Sequence, residues 1–382
     1  MAKSSSMADK LALVLLYVFW FVGNYYYNLY NKQASMKAGG KDGGLTVTIA
    51  VMQIVVCAAW AMGLWLIRRN PTPLLGLKAP APQPLPAITK ADVISLLPLT
   101  FCYAFAHTAG VVALTAGSPA FGQIVKAAEP VFAAVINTLF YAKSPSLAKW
   151  CVLPVIVGGV AISTLKKESD GSYSVPLDLY VLAFGSVNNV FAAFKGSENH
   201  RAMAAPGLKD RIGGVGNQFA LTNVLSLVFL VPCMVLSEGA NWPKFVDLFT
   251  NDDAFRWNLC LSGITFYLYN ELATMTIKAT GAVTASVANT AKRAIVIVGM
   301  AIALGNPLKL EEKVGASTAI AGVFIYSVID ELLGKKGAGA GPKVNHPMAS
   351  PAMSTRSRTK KAPRVAQCLG VEQTARPLPE PR

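Results

Sequence analysis

Apolar runs dominate the chain, separated by short breaks that are charged or rich in proline and glycine. The runs fall at about 10–32, 44–68, 91–116, 118–142, 147–166, 175–200, 214–237, 254–278, 281–304 and 312–333. Each approaches the ~20 residues that an α-helix needs to cross a hydrocarbon layer of ~30 Å. In lipid the backbone must satisfy its own hydrogen bonds, and continuous apolar runs of this length do so as helices. The pattern predicts an all-α polytopic membrane protein with about ten transmembrane helices.

The layout looks duplicated. SPAFGQIVKAAEPVFAAVINTLFYAKSP is followed by a run containing VGGVAI, and GAVTASVANTAKRAIVIVGMAIALGNP by one containing IAGVFI. A shift of about 163 positions places Ser118 on Gly281, Glu129 on Lys292 and Gly159 on Gly322. Five helices per half is an odd number, so the second half would insert upside down relative to the first, a recurrent transporter plan. The expected organisation is a short N-terminal segment at 1–9, a first five-helix repeat at 10–166, a second at 167–333, and a basic, disordered tail at 334–382. The small-residue stretches VIVGGVAIST and GASTAIAG predict close helix packing.

Composition sharpens this picture. The 382 residues are 53% hydrophobic and only 14% charged, against roughly a quarter charged in soluble domains. The net charge of +15 suggests nucleic acid until its location is considered. Much of it lies beyond Lys335, in a tail without aromatic interleaving, which points to anionic lipid or to topology rather than to nucleic acid. The distribution of Lys and Arg between loops puts both termini on the same, cytosol- or stroma-like side. The six cysteines and three histidines form no metal or redox spacing, so no metal and no cofactor are expected. MAKSSSMADK has no cleavable signal, so targeting is expected to use the first helix or an upstream peptide missing from this sequence.

Three basic residues belong to no loop: Lys126, Lys292 and Arg293. A charge at mid-bilayer costs at least ~2.5–3.5 kcal/mol on insertion scales, so a function or a partner must justify it. Lys126 has Glu129 one turn away as a candidate neutraliser. The helix of Lys292 and Arg293 has no acid, and Glu271 could pair with only one of them. Excess buried cation makes sense if an anion arrives, and the planar fork of Arg beside the point charge of Lys suits phosphate. Tyr269 and Tyr267 in TFYLYNEL and His107 in FAHTAG, with Thr108 beside it, are candidate polar partners.

Here the chain resembles a family. NTAKRAIVIVGMAIALGNPL, preceded by LYNELATMTIKATGAVTASVANT, is similar to the plastid phosphate translocators of the drug/metabolite transporter superfamily. IVKAAEPVF resembles the family's lysine–x–x–glutamate–proline motif, and VFWFVGNYYYNLYNK its first helix. The resemblance covers roughly 10–333 and implies the drug/metabolite transporter fold, with two inverted five-helix repeats. It also implies phosphate held by Lys126, Lys292, Arg293 and Tyr269. His107 matches a histidine of the triose- and hexose-phosphate branches, and Lys195 lies near a family arginine of the sixth helix. Gly110 departs from the small, often hydroxyl-bearing residue of triose-phosphate members, and Gly122 and Gln123 replace a threonine and a histidine before the lysine.

The resulting expectation is a secondary antiporter, not an enzyme, acting as a monomer or weak oligomer. It would exchange inorganic phosphate for a phosphorylated metabolite, with triose phosphate or 3-phosphoglycerate favoured, across a plastid envelope membrane or an outer membrane of a complex plastid. Hexose- or pentose-phosphate, phosphoenolpyruvate and, in a Golgi or ER membrane, nucleotide-sugar carriers are the alternatives. A membrane enzyme using Glu129, His107 and Glu271 lacks a metal cluster or a nucleophile–base spacing.

Overall fold

The computed structural model describes residues 7–167, 173–174, 179–280, 282–305 and 307–334. Among them the chain forms α1 (Met7–Lys37), α2 (Thr46–Ile67), α3 (Lys90–Ala116), α4 (Pro119–Lys126), α5 (Glu129–Tyr141), α6 (Leu147–Ser163) and α7 (Leu179–Met203). There follow α8 (Leu208–Ile212), α9 (Val215–Glu238), α10 (Trp242–Asn251), α11 (Asp253–Thr280), α12 (Ala282–Ala303) and α13 (Leu310–Gly334). Helix, whole or broken, occupies each of the ten apolar runs. Among the described residues six stretches are long and apolar enough to cross a membrane: Met7–Lys37, Thr46–Ile67, Lys90–Ala116, Pro119–Tyr141, Gly216–Asn251 and Leu310–Gly334. The protein is a polytopic helical membrane protein. Its strands are two-residue ribbons, β1 (Arg69–Asn70) with β2 (Ala81–Pro82) and β3 (Lys166–Lys167) with β4 (Tyr173–Ser174). The expected basic tail lies, apart from Gly334, outside the described residues, as do most of the segment 1–9 and part of the connection between the halves.

Large apolar side chains line the outside of the bundle as well as its core. Leu139 and Leu236 are 72% and 88% exposed, as lipid-facing side chains should be. Asn24, Asn28, Gln53, Asn189, Asn223 and Ser262 are instead buried. They join helices: Gln53 Nε2 donates to Ser262 Oγ at 3.0 Å, Tyr103 Oη to Asn223 Oδ1 at 2.7 Å, and Asn189 Nδ2 to the Val125 carbonyl at 2.9 Å. With a hydrophobic driving force absent between helices in lipid, such bonds and close packing hold the bundle.

The principal helix pairings are α1 with α11, α3 with α7, α2 with α9 and α6 with α13. These pairings are unchanged when α1, α2, α3 and α6 are exchanged for α7, α9, α11 and α13. The secondary pairs behave alike: α2 with α11 exchanges for α9 with α3, and α1 with α12 for α7 with the α4–α5 segment.

Small residues make the α6–α13 contact, as the sequence predicts. A Cβ on Gly159 would lie 2.8 Å from both Ala319 Cα and the Gly315 carbonyl oxygen, whereas one on Gly158 would meet nothing within 4 Å. Gly159→Ala is therefore expected to destabilise the protein by about 1–3 kcal/mol through overpacking. Gly158→Ala should be neutral or mildly stabilising, because it removes only the helix cost of glycine. Thermal unfolding of the two variants in detergent separates them; equal melting temperatures would contradict this packing.

Helix ends are closed by side chains from distant elements. Glu238 accepts from the backbone N–H groups of Val47 and Thr48 at 3.0 and 2.7 Å, capping α2. Lys32, at the end of the first apolar run, lies inside α1. It donates to the carbonyls of Leu114, Thr115 and Gly117 at 3.2, 3.2 and 2.9 Å, where α3 ends. At the other end of α3, Thr89 and Asp92 form a capping box, and Arg211 clamps Asp92 through Nε and Nη2 at 2.7 and 2.5 Å.

Candidate substrate-binding site

The run 118–142, expected as one helix, is broken. Pro130 has no N–H for the carbonyl four residues earlier and its ring crowds that carbonyl, so the helix stops at Lys126 and restarts at Glu129. Lys126 thus closes the C-terminus of α4 and Glu129 opens the N-terminus of α5, each on the end whose dipole favours its charge. A discontinuous helix in a bundle interior is a recurrent setting for a transported ion.

The break points Glu129 toward α12. Arg293 Nη2 donates to Glu129 Oε2 at 2.8 Å, the Arg293 side chain being 11% exposed and that of Glu129 43%. This corrects two expectations. Glu129 neutralises Arg293 rather than its neighbour Lys126. Glu271 is remote from both α12 cations: it accepts from Asn70 Nδ2 and from Thr72 Oγ1 at 2.8 Å, tying α11 to the segment after α2.

Lys292 is held by aromatic faces, its Nζ 5.4 Å from the Trp20 ring centroid and 5.7 Å from that of Tyr269. Such contacts keep an ammonium in place without cancelling its charge. Tyr269 is itself buried, packs 5.5 Å from Tyr27 and 5.6 Å from Phe266, and hydrogen-bonds the Asn24 side chain through its hydroxyl. Lys195 on α7 sits 6.0 Å over the Tyr103 ring. Lys126, Lys195, Lys292, Arg293 and Glu129 act on one another electrostatically, which leaves one cluster with a net charge of +3 among the described residues.

His107 is buried on α3, its ring 4.6 Å from Phe266 and hydrogen-bonded to the Ala50 backbone. Its Nε2 has no hydrogen-bond partner among the described residues, and Lys126 and Lys195 lie within its electrostatic reach. Lys126 reaches back along the same helix: a Cβ on Gly110, one turn after His107, would lie 3.0 Å from its Nζ.

Two candidates do not join this group. Tyr267 faces Phe219, Glu271 and Gln83, because two positions on a helix differ by about 200° and Tyr269 takes the inward face. Thr108 donates its hydroxyl to the Ala104 carbonyl of its own helix at 3.0 Å. Two residues of this group do not stand out in the sequence: Trp20 beneath the Lys292 ammonium and Asn24 beside Tyr269, whose weak signal is the spacing of aromatics and asparagines along α1. Gln123, a departure from the family pattern, donates to Asn28 Oδ1 at 2.7 Å and joins α4 to α1.

A cluster with this excess positive charge, walled by aromatic rings and drawn from α4, α5, α7 and α12, has the chemistry to attract a compact polyanion. The chain is 25% identical over 334 residues to the chloroplastic xylulose 5-phosphate/phosphate translocator of Arabidopsis thaliana, covering 85% of this chain and 72% of that one. It is 26% identical over 336 residues to the non-green plastid triose phosphate/phosphate translocator of Brassica oleracea var. botrytis, covering 86% and 75%. It is 24% identical over 331 residues to the chloroplastic glucose-6-phosphate/phosphate translocator 1 of Arabidopsis thaliana, covering 85% and 76%. These relatives are translocators, not enzymes. The profile of the Triose-phosphate Transporter family matches residues 11–327, and the chain belongs to that family.

Proposed function

We propose that the protein is an antiporter that exchanges inorganic phosphate for a phosphorylated metabolite across a plastid envelope membrane, with triose phosphate or 3-phosphoglycerate as the favoured organic partner. The observation that carries this reading is the cluster of Lys126, Lys195, Lys292 and Arg293, offset only by Glu129. The names of the relatives support phosphate as the common substrate. Lys292 and Arg293 hold the phosphate with Tyr269, and Lys126 and His107 face the organic end. The exchange-symmetric helix pairings support two inverted halves, 10–166 and 167–333, that rock about the cluster between them.

Coupling follows from the charge. Two like charges about 6 Å apart repel by roughly 3 kcal/mol at an effective dielectric of 20, so an empty cluster resists the closure that alternating access requires. A bound dianion removes that repulsion, and the difference corresponds to a factor of about 100 in population. Phosphate uptake into liposomes loaded with phosphate is therefore expected to exceed uptake into unloaded liposomes at least tenfold. Comparable uptake with and without internal phosphate would sink the coupling. A pentose or hexose phosphate is the second reading, favoured by Gly110, which adds no side chain of its own one turn beyond His107. Counter-exchange of dihydroxyacetone phosphate, 3-phosphoglycerate, phosphoenolpyruvate, xylulose 5-phosphate and glucose 6-phosphate against phosphate ranks them.

A further inference from the structure

We propose that Asn188 on α7 is a substrate-binding residue that occupies the position left by the missing side chain of Gly110 and reads a hydroxyl group on the organic end of the substrate. This rests on the transport reading above and deepens it.

A Cβ on Gly110 would lie 3.0 Å from Lys126 Nζ and 3.1 Å from Asn188 Nδ2. The two nitrogens therefore flank the same point on α3, one arriving from α4 and one from α7. With a side chain at 110 this point would belong to α3. With glycine there, the amide is admitted beside the Lys126 ammonium, one turn from His107 and its unpartnered Nε2.

The amide is also partly uncommitted. Asn188 Nδ2 donates to the Ala106 carbonyl at 2.5 Å, which uses one N–H. A carboxamide has two N–H donors and an oxygen with two lone pairs, and no other hydrogen bond of Asn188 is present among the described residues. Its neighbour Asn189, 1% exposed, donates to the Val125 carbonyl and ties α7 to α4. Asn188 is only partly buried, and its amide flanks the same point as the Lys126 ammonium.

The chemistry left over selects its ligand. One donor and one acceptor side by side complement a hydroxyl, which both accepts and donates. They complement the phosphate group poorly, because the free oxygens of an ester dianion only accept and would oppose Asn188 Oδ1, and inorganic phosphate of the same charge has one O–H among three accepting oxygens. Asn188 therefore favours a hydroxylated carbon chain at this end and directs the phosphate toward Lys292 and Arg293.

The test is competition against labelled phosphate exchange in liposomes by phosphate, 3-phosphoglycerate, dihydroxyacetone phosphate and xylulose 5-phosphate. In Asn188→Ala the inhibition constants of the hydroxylated compounds should rise at least fivefold relative to that of phosphate. Asn188→Ser, which keeps a donor and an acceptor, should recover part of the difference. Gly110→Thr should shift the same ratio by displacing the amide, and Asn188→Ala should add little to it. Parallel shifts for all compounds, phosphate included, or no shift, would overturn the assignment. Ligand-induced thermal stabilisation of the detergent-solubilised protein gives the same ratio without transport. A wild type that binds these compounds with the expected selectivity but exchanges nothing would count against the antiport reading and leave Asn188 in place.

Discussion

Alanine at Lys292 is expected to reduce phosphate exchange at least hundredfold while leaving the folded bundle intact. The ammonium is fixed between the Trp20 and Tyr269 rings, 5.4 and 5.7 Å away, so little ordering remains to be done when an anion arrives. A hydrogen bond to a charged group contributes about 1.5–3 kcal/mol, which is roughly 10- to 100-fold in affinity. Loss of one repelling cation also weakens the coupling between binding and closure, and the two deficits multiply in the exchange rate. Removing a buried cation that no carboxylate neutralises directly should not harm stability. Unchanged exchange in Lys292→Ala, alongside a normal melting curve, would remove the α12 cations from the site. Arg293→Lys separates fork from charge: it should keep the ion pair with Glu129 yet lose bidentate phosphate recognition.

Glu129→Gln should act in the opposite direction on affinity. In the present arrangement the carboxylate holds Arg293 Nη2 at 2.8 Å and competes with any phosphate for the same guanidinium. Removing the competitor frees the fork, so the apparent KM for phosphate should fall. Glu129 is 43% exposed, so solvent screens the pair and the gain lies at the low end, about five- to tenfold. Maximal velocity should fall with it, because a more tightly held anion leaves more slowly and the empty cluster, now at +4, reorients less readily. Separate measurement of KM and maximal velocity is decisive. An increase in KM would mean that Glu129 helps to bind substrate rather than to displace it.

The candidate site was legible wherever a residue violated the chemistry of its own run. Lys126, Lys292 and Arg293 stood out because a cation in an apolar helix is costly, and that cost is local. Partners were not legible, because a charge finds its counterpart across helices. Glu129 lies three positions from Lys126, and a helix places them as neighbours; Pro130 breaks the helix between them and turns Glu129 to Arg293 instead. Glu271 had no acid competitor nearby in sequence, yet the segment containing Asn70 and Thr72 folds back and claims it. Tyr267 and Tyr269 are equivalent in composition, and only the packing of α1 against α11 decides which faces the cations.

Apolar runs of membrane-spanning length determined by themselves that the chain is a helical membrane protein, because hydrocarbon leaves the backbone no other way to satisfy its hydrogen bonds. The small-residue stretches likewise determined close helix packing, since a missing side chain is an invitation to a neighbouring backbone; that α6 and α13 meet each other was decided by the tertiary structure. Only the tertiary structure decided which side chains surround each buried cation. The reason is geometric: Trp20, Asn24, Gly110 and Asn188 carry no charge and violate no rule of their own helices. Their place at the site comes from helices far apart in sequence converging on one point.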